Sequence, residues 1–200
     1  MHAVDDWRRI EVRIDHQIHP NEVYHLGDQE LEVIDSEKDL GVMVDDKLKF
    51  HVHTAYATKK ANQMLGVIKR TYRTRDAVTM TTLYKSMVRP HLEYGNAIWG
   101  PCYMGDLKAV EGVQRRATKL VQHLYDESYE DRLRVLELPS MEYRRKRGDM
   151  IQCYKIMNGL VRMTVTDLFT PIQSTGTRGH EQRILRQKAH KTARLYSFSQ

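Results

Sequence analysis

This 200-residue chain is poor in cysteine, and no long apolar run interrupts it. Only Cys102 and Cys153 occur, with no Cys-x-x-Cys pair, which argues against a disulfide scaffold and against a structural zinc site, and a reducing compartment fits. No segment has membrane-spanning length, and the first nine residues, Met1-His-Ala-Val-Asp-Asp-Trp-Arg-Arg9, lack the apolar stretch of a secretory signal. The expectation is a protein inside the cell, nuclear or cytoplasmic, without a membrane partner. Gly-x-Ser-x-Gly elbows, phosphate-cradling loops ending in Lys-Ser/Thr and His-Glu-x-x-His helices are all missing, which removes the commonest hydrolase, nucleotide-binding and zinc-protease signatures. No internal repeat is visible.

What is present is a hydrophobic share of 40%, enough to fill one core, and a net charge of +6 that is unevenly spread. Residues 1–50 hold 13 acidic and 6 basic side chains, residues 51–173 hold 12 and 20, and residues 174–200 hold 1 and 6. The basic surface therefore belongs to the last three quarters of the chain. Such a surface predicts a polyanionic partner, most simply nucleic acid, although it also serves solubility and acidic proteins.

The chain divides into a β-rich part over 1–50, a helical part over 51–170 and a basic tail over 171–200. Ile10-Glu-Val-Arg-Ile14 alternates apolar and charged residues, Leu31-Glu-Val-Ile34 follows a Gly27-Asp28 turn signal, and Leu40-Gly-Val-Met-Val44 reads as a further strand. From residue 51 the period becomes helical. Ala61, Met64, Leu65, Ile68 and Tyr72 share one face of a helix of about six turns, and Lys59, Lys60, Lys69, Arg70 and Arg73 make its basic remainder.

A second helix opens at an Asp76 cap, carries Met80, Leu83, Tyr84 and Met87, and is closed by Pro90, forming an antiparallel hairpin with the first. His91 to Gly105 is a tight, glycine- and aromatic-rich turn region. A third helix, capped by Asp106, sets Val110, Val113, Gln114, Ala117, Leu120, Val121 and Leu124 on one face and Lys108, Arg115 and Lys119 on another, with Arg116 beside them. Ser128 with Asp131 starts a short helix stopped by Pro139, and Ser140 starts a longer one ended by Asn158-Gly159. Beyond Pro171 the composition is that of a disordered tail. The fold class expected is mainly α, with short N-terminal strands, a bundle of about five to six helices and a disordered basic tail.

Several constellations could carry chemistry. Val44-Asp45-Asp46 imitates a pair of magnesium-holding carboxylates, but Asp45-Asp46-Lys47 has the composition of a turn and no third acidic residue sits in an upstream strand. His51-x-His53 and His16-x-x-His19 have spacings that metals use, yet two ligands do not make a site, and scattered surface or capping histidines explain them. A metal-dependent enzyme built on Asp45, His51 and His53 would require bound zinc or manganese. Arg144-Arg-Lys-Arg147 starts a helix, where positive charge opposes the macrodipole, so something must offset it. Phosphate binding, pairing with Glu137, Glu142 or Asp149, and a nuclear-localisation patch all remain open. Tyr94, Trp99 and Tyr103 could stack on bases, but their setting among Leu92, Ile98 and Pro101 favours a packed corner.

Tyr94-Gly-Asn-Ala-Ile-Trp-Gly-Pro101, Val113-Gln-Arg-Arg-Ala-Thr-Lys-Leu-Val121, Tyr129-Glu-Asp-Arg-Leu-Arg-Val-Leu-Glu-Leu138 and Tyr143-Arg-Arg-Lys-Arg-Gly-Asp-Met-Ile151 follow one another, preceded by Lys38-Asp-Leu-Gly-Val-Met-Val44. In this order, across about residues 24–160, they resemble the region after the catalytic palm in reverse transcriptases of non-LTR, LINE-type (jockey-like) retrotransposons. The resemblance implies a thumb and following helices, with Leu40, Gly41 and Val42 near a primer grip and with Asp45 and Asp46 not metal ligands. Residues 1–23 depart from the pattern. A palm with a Tyr/Phe-x-Asp-Asp turn is missing from these residues, so the implied role is non-catalytic: no catalytic residues, no metal site and no cofactor, the Mg2+ of RNA-directed DNA synthesis belonging to the parent polymerase. The partners implied are an RNA/DNA template-primer duplex and the polymerase's palm and fingers, not a small-molecule substrate. Contacts to the nucleic-acid backbone are expected from Lys69, Arg70, Arg115, Arg116, Lys119, Arg144 and Arg145. The alternative is an inactive relic or a helical protein-interaction module.

Overall fold

The computed structural model describes residues 25–30, 34–172 and 183–185. Ile10–Ile14, His16 and His19, Leu31 to Val33 and most of the basic tail lie outside the described residues.

Two short hairpins come first. β1 (His25–Leu26) pairs with β2 (Gln29–Glu30) around Gly27, whose φ of 65° matches the expected turn. β3 (Ser36–Asp39) pairs antiparallel with β4 (Val42–Asp45), Ser36 opposite Asp45 and Asp39 opposite Val42. The strand expected over Leu40–Val44 begins two residues later. Leu40 and Gly41 form the two-residue loop itself, with φ of 43° and 91°, the doubly positive turn whose twist suits a hairpin. Glycine accepts such angles freely, and alternation of apolar residues alone does not mark where a strand yields to its turn.

The rest is mainly α. α1 (His51–Thr71) has the expected six turns and buries Ala57, Ala61, Leu65 and Ile68. Tyr72 lies outside it: the chain turns extended there, and the residue is partly exposed. Asp76 caps α2 (Ala77–Leu83), its Oδ1 accepting from Thr79 N at 2.9 Å. Pro90 does not close this helix. The chain passes through a π-helical turn, Tyr84–Val88, into α3 (Arg89–Glu93), where Pro90 sits in the first turn. Proline lacks an N–H and crowds the preceding turn, and both conditions are met where a widened turn resets the hydrogen-bond register.

α1 touches the π turn and α3 more than it touches α2. The hairpin is therefore antiparallel but opens towards its connecting loop.

α4 (Asn96–Trp99) follows Gly95, then α5 (Met104–Thr118), α6 (Tyr129–Val135), α7 (Met141–Met157) and the single turn α8 (Val165–Leu168). β5 (Pro171–Ile172) pairs antiparallel with β6 (Arg183–Ile184). Ser128 Oγ accepts from Asp131 N and Ser140 Oγ from Tyr143 N, so both expected caps form. Gly159, at φ 65°, ends α7 with its N–H on Ile156 O and that of Leu160 on Lys155 O. This is the left-handed stop that Asn158-Gly159 predicts. Asp106 is not the cap of α5. It lies within the first turn, three residues after Tyr103, where its charge still favours the helix dipole.

One core joins Leu65 and Ile68 of α1, Met80, Tyr84, Val88 and Leu92, Val110, Val113 and Ala117 of α5, and Leu136, Leu138 and Met141. A smaller cluster of Val42, Ala57 and Trp99, with Val44 and Phe50 against it, docks the second hairpin onto α1 and α4. Gln114 sits fully buried in the main core, and every polar atom of its amide is matched: Tyr84 Oη donates to Oε1 at 2.7 Å, and Nε2 donates to Tyr129 Oη and Pro139 O, each at 3.0 Å. Such a closed polar network fixes one packing of α5 against its neighbours, because any slip strands buried donors. Among the described residues, no helix is long and apolar enough to cross a membrane.

Candidate nucleic-acid interface

The basic residues singled out from sequence fall into two groups. α1 and α5 run side by side in the same direction: His51 Nδ1 meets Asp106 Oδ2 at 2.5 Å near their starts, and Arg116 Nε donates to Asn62 Oδ1 at 3.0 Å further along. Gln122 N donates to Arg75 O at 2.8 Å and ties the segments beyond both helices together. The two C-termini therefore share one end of the molecule.

Lys69 and Arg70 occupy the last turn of α1, Arg115 and Arg116 that of α5, and Lys119 follows directly. All five are exposed. The partial negative charge of two parallel helix ends explains why cations gather there. Arg115 lies over the Tyr129 ring at 4.2 Å, and Lys119 over Tyr125 at 5.3 Å, which steadies these long side chains by cation–π attraction. Among the described residues, none of the five enters an ion pair.

Arg144 and Arg145 belong elsewhere. On α7, Arg144 grips Glu93 of α3 with two guanidinium nitrogens, and Arg145 Nη1 donates to Pro101 O at 2.7 Å. Both line a groove of about 640 Å³ between α3, α5, α6 and α7, and Arg115 reaches the same groove from the end of α5. The Glu93 carboxylate holds the Arg144 guanidinium even more firmly protonated than usual. Lys146 pairs with Glu142 at 2.7 Å, one of the pairings that local spacing allows, whereas Arg144 pairs with Glu93, which local spacing does not indicate. It lies 51 residues away in sequence, and only the tertiary fold brings it near. These two contacts offset the unfavourable position of the run at a helix start.

The hairpin residues Leu40, Gly41 and Val42 form a third locus. Tyr94 Oη donates to Leu40 O at 2.8 Å, and a Cβ on Gly41 would stand 3.0 Å from the same ring. Leu40 is exposed, and Val42 is buried against Ala57 and Trp99.

Asp45, a half of the carboxylate pair, has a structural occupation. Its Oδ1 accepts from Lys47 N and Lys49 N at 3.1 and 3.0 Å, and its Oδ2 from Phe50 N at 2.6 Å. This organises the turn into α1, as the turn reading holds. The histidines diverge as well. His51 stacks on Tyr103 and meets Asp106, while His53 is buried edge-on to Trp99 with Nδ1 accepting from Met43 N at 3.0 Å. Burial pushes His53 down to about 4. Of the three aromatics, Trp99 is buried and donates to Tyr94 O at 2.5 Å, Tyr103 is half-buried, and Tyr94 is exposed but bonded.

Arg132 is not foreshadowed by any local pattern. It is buried, with Nε donating to Thr118 Oγ1 at 3.0 Å and Nη1 to Glu127 O at 2.5 Å, so it clamps the loop after α5 that carries Lys119. Its neighbour Arg134 is mostly exposed, and nothing in local spacing separates the two. No family model, no curated protein and no solved structure matches this chain.

Proposed function

We propose that this chain is a non-catalytic, thumb-like helical module of a non-LTR retrotransposon reverse transcriptase, which grips the template-primer duplex while RNA-directed DNA synthesis takes place on a separate palm. The observation that carries the reading is the shared end of α1 and α5, where Lys69, Arg70, Arg115, Arg116 and Lys119 stand exposed without carboxylate partners among the described residues. Phosphates along a duplex reward such a cluster, because each neutralised phosphate releases condensed counterions. Arg144 and Arg145, held by Glu93 and Pro101, act chiefly as struts of the groove. Asp45 spends its carboxylate on three backbone N–H groups, which supports a role without metal-ion chemistry at that turn.

The test is binding of the full chain to an RNA–DNA hybrid of about 20 base pairs at low salt, where phosphate contacts are strongest. The triple variant Lys69→Ala, Arg116→Ala, Lys119→Ala is expected to weaken binding at least tenfold while the chain stays folded, its melting temperature lowered only slightly by loss of the exposed Arg116–Asn62 and Lys119–Tyr125 contacts, and Lys155→Ala leaves binding unaltered. Equal affinity of the triple variant and the parent would remove the shared helix end as the grip. Absence of any binding would leave the alternative, an inactive relic or a protein-interaction module.

A further inference from the structure

Only Met141 and Ile156 of α7 are buried, so most of this 17-residue helix faces outward. Its outer face has a particular composition. Tyr143, Arg147, Met150 and Tyr154 recur at i, i+4, i+7 and i+11, the spacing of a single helical stripe. Tyr143 is 59% exposed, Met150 74% and Tyr154 63%, with Ile151 beside them. Arg147 is exposed too, and among the described residues it enters no ion pair.

The two tyrosines differ from most others in the molecule. Tyr84 and Tyr129 spend their hydroxyls in the buried network around Gln114, and Tyr94 spends its hydroxyl on Leu40 O. Tyr56 and Tyr125 lie under lysines, and Tyr103 stacks on His51. Tyr143 and Tyr154 have no ring or hydroxyl partner of this kind among the described residues. Two flat aromatic faces are thus held about 16 Å apart on a rigid helix, from eleven residues at ~1.5 Å each. A cation stands between them.

We propose that this stripe is a stacking platform for single-stranded nucleic acid, on which bases a few nucleotides apart lie against Tyr143 and Tyr154 while Arg147 holds a phosphate between them. The inference rests on the nucleic-acid reading above and adds to it a second, chemically different locus. Unpaired bases present their faces to such rings and paired bases do not. The charge decides between a strand and an apolar protein partner: the outward side of α7 adds Lys146 and Lys155 to Arg147, and Glu142 is the exposed acid there, already paired with Lys146.

The experiment uses the full chain and two fluorescein-labelled probes: an oligothymidylate of about 15 nucleotides, which has no duplex form, and the hybrid duplex. Tyr143→Ala and Tyr154→Ala are each expected to weaken oligothymidylate binding about fivefold or more, corresponding to the loss of one stacked base, with duplex binding unchanged. Tyr143→Phe and Tyr154→Phe keep the ring and should retain the parent affinity. The Lys69, Arg116 and Lys119 triple variant should show the converse, losing mainly the duplex, so failure at one locus is separable from failure at the other. Oligothymidylate affinity unchanged by both alanine variants would overturn the proposal. So would phenylalanine variants as weak as alanine, or a self-associating parent whose dimer the alanine variants dissolve without affecting the oligonucleotide.

Discussion

Asp45 shows how one side chain can decide a local fold. Leu48 and Phe50 both take positive φ, 51° and 58°, a region that costs a non-glycine residue about 1 kcal/mol or more. Three backbone N–H groups on a single carboxylate compensate for this. Asp45→Ala should cost about 2 kcal/mol in urea unfolding, since three backbone hydrogen bonds to one buried carboxylate are lost together. Asp45→Asn, which keeps one acceptor oxygen, should recover part of that. Equal stability of the alanine variant would show that the turn stands without it.

His53 makes a prediction of sign as well as size. Its pKa is held down at about 4 by burial, against about 6.5 in an unfolded chain. The unfolded state therefore takes up the proton first as pH falls. The stability tied to this residue is complete above pH 6.5 and declines as the pH drops towards 4. Between pH 7 and 5 the loss should be about 2 kcal/mol, and His53→Asn should flatten that part of the profile. An undiminished slope in the variant would assign the effect to other groups.

At the scale of elements, caps and stops were the most legible features. Asp76, Ser128, Ser140 and Asn158-Gly159 each act where their residue types indicate, because a cap is a local event settled within four residues. Replacing Ser140 with Ala should lower stability by about 1 kcal/mol, read as a shift in the urea midpoint without a change of slope. Pro90 was misleading for the opposite reason. Whether proline ends a helix depends on the hydrogen-bond register upstream, and the π turn at Tyr84–Val88 leaves no mark in spacing. Asp106 illustrates the same limit, since a helix can begin before its first acidic residue, at Met104 with Tyr103 as N-cap in this case.

Gly95 is the element-scale hinge of the small cluster. At φ 64° it turns the chain into α4, and a Cβ there would stand 3.2 Å from Val42 Cγ2. Gly95→Ala should therefore cost more than the ~1 kcal/mol of backbone strain alone. Its effect should also show as loosened protection of the β3–β4 hairpin in amide hydrogen exchange. A variant as stable as the parent would mean that the hairpin is held without this close approach.

For the whole molecule, fold class and helix positions could be read from periodicity, whereas the assembly could not. Nothing in the local pattern says that α1 and α5 run parallel, that Arg116 reaches Asn62, or that Arg144 closes on Glu93. Those contacts join residues more than fifty positions apart and arise from core packing. They also divide what sequence presented as one basic set into an exposed helix end and a pair of struts. If the exposed end meets phosphates, binding must respond to salt. The most direct measurement is the affinity of the full chain for the hybrid duplex as a function of salt. Phosphate contact should give a linear fall of log K with log salt, and a slope reduced by about one for each of Lys69, Arg116 and Lys119 replaced by alanine. A flat dependence, or a slope that the three substitutions leave untouched, would contradict it.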